Sequence, residues 1–230
     1  MNLKKVHPRH FWSDETGLTG LLIFFIGYLI VVNSLGEFGF GRLLARLFFS
    51  LIIVTGVVTT FRQRWLHSFA IILAAAILVL TWVEEFRPGV ALNVLNTSLS
   101  LIFSGFLVAV VGMQVFGEGP VTGHRIRGAI VVYLLLGVIW ALLYQVVALT
   151  IPQAFRLPED LAGSDPDALQ RQLTYFSYIT LTTTGYGDIT PVHPVAKMLT
   201  MFEALTGQLF LAITIARLVA LAVMSPKEKP

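Results

Sequence analysis

Cysteine is absent from this 230-residue chain, which excludes a disulfide framework, thiolate metal ligands and a cysteine nucleophile. Charge is scarce too. Asp, Glu, Lys and Arg make up 13% of the residues, half the roughly 25% usual in soluble domains. Hydrophobic residues are 56% and the mean hydropathy is +0.79. So little polar surface cannot cover a water-soluble body of this size. An ordinary cytosolic enzyme and a disordered chain are both excluded. No nucleophile elbow, phosphate loop or zinc-binding helix occurs, so no enzyme activity is expected. The histidines, His7, His10, His67, His124 and His193, are scattered, without i, i+4 pairing or a carboxylate cluster. They offer no metal site.

What is present is long apolar runs, and a membrane-spanning helix needs about 20 mainly apolar residues. Charge is missing from Thr16 to Gly36, from Leu47 to Phe61 (with the apolar pattern reaching back to Leu43) and from Trp65 to Val83. It is missing again from Pro88 to Gly117 and from Gly128 to Phe155. A last run, Val195 to Val223, is broken only by Lys197, Glu203 and Arg217. The expected fold is an all-α membrane protein with six transmembrane helices.

Residues 1–15 read as a short lead rather than a signal peptide, because no small-residue cleavage site ends the apolar run that follows. The chain stops seven residues after Val223, so no cytosolic domain is expected there. Six spans put both termini on one side. With that side cytoplasmic, ten of the 16 Lys and Arg lie inside and six outside, which favours cytoplasmic termini in a cell (plasma or inner) membrane. The net charge of +3 is read as orientation, not as nucleic-acid binding.

The stretch between the fifth and sixth spans differs from the other connections. Pro152 closes the fifth span, and residues 156–171 are polar. Gln172 to Thr183 is apolar and aromatic but only 12 residues long, too short to span. It suits a re-entrant half-helix. Directly after it comes Thr184-Gly185-Tyr186-Gly187-Asp188. Irregular backbone at membrane depth is tolerated only where protein buries it or water lines it. Two glycines one residue apart allow backbone angles that side chains forbid, so successive carbonyls can aim at one axis. A lone Gly-Tyr-Gly is a common turn; its placement after a short helix, between two spans and behind three threonines, is what points to a pore.

The run Thr182 to Asp188 resembles the signature of the tetrameric potassium channel superfamily, and the likeness covers roughly Ile126 to Val223. The usual motif has Val or Ile where this chain has Thr184. The resemblance implies a homotetrameric pore built from an outer helix, a pore helix, a selectivity filter and an inner helix. Thr183 would give hydroxyl and carbonyl to the innermost K+ site. Carbonyls of Thr184, Gly185 and Tyr186 would build the sites above, with Gly187 closing the filter and Asp188 at the outer mouth. Tyr186 would brace the strand against Tyr175, Phe176 and Tyr178. K+ in the filter would be the only cofactor. In the family the inner helix often carries a glycine hinge about twenty positions past the filter, where this chain has Gly207. Small residues for close helix packing are the other reading of Gly207. The six-span layout looks like a bacterial-type channel, but the fourth run holds no Lys or Arg, so sensor charges are missing and steep voltage gating is not expected.

Leu211, Ile215 and Val219 recur at spacing four on one helix face and are candidates for an apolar gate; helix packing would give the same stripe. Gln208 would border the cavity. Glu203 lies well inside the sixth span, and its depth is expected to match the base of the filter. Three readings stand: a protonated carboxyl satisfied by Thr180 or Ser177, a brace behind the filter, or a charge facing the pore. Arg125 and Arg127, in the linker before the fifth span, read as positive-inside anchors or as a contact for anionic lipid. Residues 1–120 form a four-helix domain and 121–230 the pore domain. The expected activity is passive, potassium-selective conduction. The rivals are a poorly selective cation channel, a potassium-uptake transporter subunit and a membrane enzyme, for which only Glu203 would be at hand.

Overall fold

The computed structural model describes residues 8–35, 38–59, 64–117, 123–157 and 166–224. In chain order these form α1 (Pro8–Leu35), α2 (Gly39–Thr59), α3 (Arg64–Phe86), α4 (Val90–Val115), α5 (Gly123–Thr150), β1 (Phe155–Arg156), α6 (Pro166–Leu181), β2 (Thr190–Pro191) and α7 (Pro194–Met224). Six helices, α1 to α5 and α7, are long and apolar enough to cross a membrane. The protein is an all-α membrane protein, as its apolar runs lead one to expect.

Several boundaries differ from the sequence reading, each for a physical reason. The lead of residues 1–15 splits: 1–7 lie outside the described residues, and 8–15 join α1, which starts on a proline suited to a first helical position. Residues 225–230, the tail beyond the sixth span, also lie outside them, as does 158–165 of the polar stretch. α3 runs past Val83 to take in Glu84 and Glu85, because both carboxylates find partners. Asn96 donates to Glu84 at 2.9 Å, and Glu85 pairs with Arg46. α6 starts six residues before Gln172, at Pro166, with Asp167 in its first turn where the helix dipole favours an anion. α5 begins at Gly123, so Arg125 and Arg127 sit in its first turns rather than in a linker. Arg127 donates to Thr19 of α1 at 2.7 Å.

Buried apolar side chains of α1 to α5, including Leu21, Phe25, Ile53, Ile77, Leu107 and Leu135, form one continuous core. A second cluster, around Tyr144, Phe155, Leu173 and Phe176, joins α5, β1 and α6. α5 therefore belongs to both. The rings of Tyr144, Phe155 and Phe176 form a triangle with centroids 5.2–5.7 Å apart. Such aromatic pairs contribute about 0.5–1.5 kcal/mol each beyond area burial. At Gly137 of α5, an added Cβ would lie 2.6 Å from the Tyr178 ring, so glycine is what lets α6 seat against α5. β1 and β2 pair antiparallel, Phe155 opposite Pro191 and Arg156 opposite Thr190. With Val192 N donating to Ala154 O at 2.8 Å, this fixes the chain leaving Asp188 to the end of α5. Sequence reading gave no sign of this pair; two residues per strand carry no periodicity.

Candidate ion-conduction site

α6 stops at Leu181 because the chain turns into a backbone no helix can continue. Thr183, Gly185 and Gly187 have φ of +59°, +55° and +83°, while Thr184 and Tyr186 between them are not on the positive side. An ordinary strand points successive carbonyls to opposite sides. Alternating the sign of φ cancels that alternation and sets successive carbonyls to one side. Glycine takes such angles freely, and a non-glycine residue there, as at Thr183, is uncommon.

The amide hydrogens show which side. Thr182 N donates to Tyr178 O at 3.1 Å, and Thr183 N to Thr180 O at 2.9 Å. Thr184 N and Gly185 N both donate to Ile179 O, at 2.8 and 3.1 Å. In a trans peptide the C=O opposes the N–H of the same unit. The carbonyls of Thr183 and Thr184, whose units carry the amides of 184 and 185, therefore face away from the pore helix. Thr182 to Asp188 are all exposed in the single chain. A row of outward carbonyls can replace the water around a cation.

α7 follows α6 in parallel, in register. Glu203 meets Ser177, Gly207 meets Leu181, and Gln208 donates to the Thr183 hydroxyl at 2.9 Å. The filter base thus lies level with Gly207 and Gln208. Glu203 sits one turn further out, behind the pore helix, which corrects the depth expected from sequence. The Thr183 hydroxyl itself donates to Thr182 O at 2.7 Å. Its oxygen accepts from Gln208, which is exposed in the single chain.

Residues 170–223, from the pore helix through the inner helix, match the family model described as "Ion channel". These residues are similar to an ion-channel segment. Over 53 residues, 23% of the chain, the sequence is 49% identical to "Potassium channel K1" of Plasmodium berghei (strain Anka). The matched stretch is 3% of that protein's length. No solved structure matches the chain significantly.

Behind the candidate filter, Glu203 is fully buried between two hydroxyls. Tyr144 of α5 donates to Oε2. Ser177 of α6 lies 2.5 Å from Oε1 and donates to Gly137 O at 2.7 Å. A serine hydroxyl has one proton to give, so both of its contacts are satisfied when the carboxyl keeps its own. Of the two hydroxyls expected near Glu203, Ser177 is the partner and Thr180 is not among its bonded neighbours. Tyr144, which the sequence reading did not single out, is the second.

The expected bracing of Tyr186 is only partly assembled. Phe176 packs into the triangle with Tyr144 and Phe155, and Tyr178 donates to Leu134 O at 2.7 Å, so both face α5 instead of the filter. Tyr175 alone stands on the filter side: burial and the Asp188 carboxylate beside it push its hydroxyl up to about 12. Tyr186 is 71% exposed in the single chain. Leu211, Ile215 and Val219 are exposed as well, and α7 is the span least covered by its own chain.

Sequence reading counted Arg217 only as an inside charge. It donates to Phe116 O at 2.5 Å and Gly117 O at 3.2 Å, past the end of α4, with its guanidinium 5.3 Å from the Phe116 ring. A cation at a helix C-terminus is well placed. Phe116 touches Phe210 at 6.2 Å, Phe210 touches Tyr133 at 5.6 Å, and the Tyr133 hydroxyl donates to Leu181 O at 3.4 Å. One run of contacts joins the end of α4 to the foot of the pore helix. Only a basic residue late in an apolar span hinted at it.

Proposed function

We propose that four copies of this chain form a potassium-selective channel that conducts K+ passively across the cell membrane. The observation that carries the reading is the alternation of positive φ at Thr183, Gly185 and Gly187. It supports carbonyl sites for K+ at Thr183, Thr184, Gly185 and Tyr186, with Asp188 at the outer mouth. Seven consecutive exposed residues at membrane depth cannot face lipid with unpaired backbone. They call for further copies around one axis, and closed cyclic symmetry with four copies fits a ring filter. K+ ions are its only cofactor, and it is not an enzyme. Leu211 and Ile215 line the inner end of the path. Residues 1–120 form the peripheral domain and 121–230 the pore domain, with both termini cytoplasmic. Arg125 and Arg127 hold that side of the membrane, Arg127 through Thr19, and anionic lipid is the partner there. Because α4 carries no Lys or Arg, conductance depends weakly on voltage. A flux assay on protein reconstituted in liposomes tests this: K+ flux far above Na+ flux is expected, and equal fluxes would overturn selectivity.

A further inference from the structure

Gly207 lets the inner helix close on the foot of the pore helix, and this brings the next residue, Gln208, to the base of the irregular strand. The protons there can be counted. A hydroxyl has one hydrogen to give and two lone pairs. The Thr182 hydroxyl donates to Tyr178 O at 2.7 Å, so in its 3.0 Å contact with the Thr184 hydroxyl it is Thr184 that donates. The Thr183 hydroxyl donates to Thr182 O at 2.7 Å. With that hydrogen spent, a group facing the Thr183 oxygen has to bring a hydrogen of its own. Gln208 does so, its Nε2 lying 2.9 Å from Thr183 Oγ1. The same count fixes which end of the amide faces Thr183, because an amide oxygen there would meet only lone pairs.

The family likeness would give Thr183 two oxygens for the innermost K+ site, one from its carbonyl and one from its hydroxyl. The carbonyl is free to serve: the amide of its own peptide unit, Thr184 N, is bonded to Ile179 O, which turns the carbonyl away from the pore helix. The hydroxyl is engaged on both sides. A cation approaching Oγ1 meets the partly positive hydrogens of the Gln208 amide beside it, and like signs repel.

We propose that Gln208 holds the Thr183 hydroxyl out of the ion's coordination shell, so that the innermost site is built from carbonyl oxygens and water. The inference rests on the channel reading and adds a control on the inner end of that path. Gln208 is a positioning residue, acting through Thr183. Conduction needs sites that admit an ion and also release it. Losing one oxygen per copy weakens the site most for divalent cations, since attraction to each oxygen grows with the charge of the ion. The inner end of the filter therefore resists block by divalent cations.

The test uses the full chain in planar bilayers, with Ba2+ as the probe, an ion of nearly the radius of K+ and twice its charge. The half-blocking Ba2+ concentration is read from the side on which the inner helices end, and the K+ to Na+ permeability ratio is read on the same membranes. Gln208→Leu keeps the volume and removes the donor. It should tighten Ba2+ block by at least about tenfold, the worth of one polar ligand to a charge. Thr183→Ala alone should leave block within about twofold of wild type, because the hydroxyl is not in use. Adding Thr183→Ala to Gln208→Leu should remove the gain, and adding Thr183→Ser should keep it. A general loosening of the pore would not be reversed by deleting one hydroxyl. Gln208→Met makes the same comparison if the leucine variant does not assemble. Unchanged or weaker block in both Gln208 variants overturns the proposal. So does a large loss of block in Thr183→Ala alone, which would put the hydroxyl on the ion in the wild type. A wild-type permeability ratio near one defeats potassium selectivity, and the Ba2+ comparison still decides the role of Gln208. Where no current is obtained, the rise in unfolding temperature with added Ba2+ makes the comparison without conduction.

Discussion

Gly207 lies directly against the main-chain carbonyl of Leu181, so that a Cβ on Gly207 would overlap the oxygen. The last carbonyl of the pore helix and the inner helix meet with no side chain between them. α7 is helical without interruption through this point. Glycine in a helix costs about 1 kcal/mol relative to alanine, and the close approach is what it obtains in return.

Gly207→Ala should therefore destabilise the assembly by about 1–3 kcal/mol, the usual cost of overpacking. Thermal unfolding of the reconstituted protein reads it. Wild-type stability with altered open probability would instead assign Gly207 to a hinge.

Glu203→Gln should keep much of the function, since the amide can still donate to Ser177 and accept from Tyr144. Glu203→Ala leaves two hydroxyls without their partner, at about 1–3 kcal/mol for each buried group. Single-channel recordings of both variants should show lowered open probability in Glu203→Ala and near-normal conductance in each. Equal loss of conductance in both would place the carboxyl on the ion path.

Arg217→Gln should loosen α7 from the end of α4 and change open probability while leaving ion selectivity alone. Arg217→Lys keeps the charge but lacks the guanidinium fork, so it should restore only part of the effect. Unchanged gating in both variants would reduce the contact to ordinary anchoring.

Raising the pH should expose the Tyr175–Asp188 relationship. A tyrosine whose hydroxyl is held above its ordinary value of 10.0, here at about 12, contributes stability fully below pH 10 and loses it as pH approaches 12. The unfolded chain releases that proton first. Tyr175→Phe should remove this part of the alkaline slope. The difference in unfolding temperature between wild type and variant across pH 9 to about 12 measures it, and parallel curves would show that neither burial nor Asp188 holds the hydroxyl up.

The spans and the irregular strand after the short helix were legible because both are written in contiguous residues: an absence of charge over twenty positions, and glycines one residue apart. Glu203 was legible as an oddity, a carboxyl in an apolar run. Its partner Tyr144 was not, because 59 positions separate them and a tyrosine in an apolar helix is unremarkable. Arg217 was hidden for the same reason. Its meaning comes from which helix ends the bundle brings together, and charge counting assigns such a residue to a loop. The bracing role given to Phe176 and Tyr178 was misplaced because aromatic content alone does not say which face of the pore helix each ring occupies.

The exposed filter strand bears on how the molecule is made. Thr183 holds a left-handed backbone that costs a non-glycine residue roughly 1–2 kcal/mol, and the residues around it have no cover within their own chain. Within one copy the strand is held on one side only, by amide hydrogen bonds to Thr180 O and Ile179 O and by Gln208 at the Thr183 hydroxyl. In the proposed tetramer the strand's shape is a property of the company it keeps: its open side is covered only as neighbouring copies close around it. Folding of the filter and meeting of the subunits would be one event, governed by how crowded the copies are in their membrane.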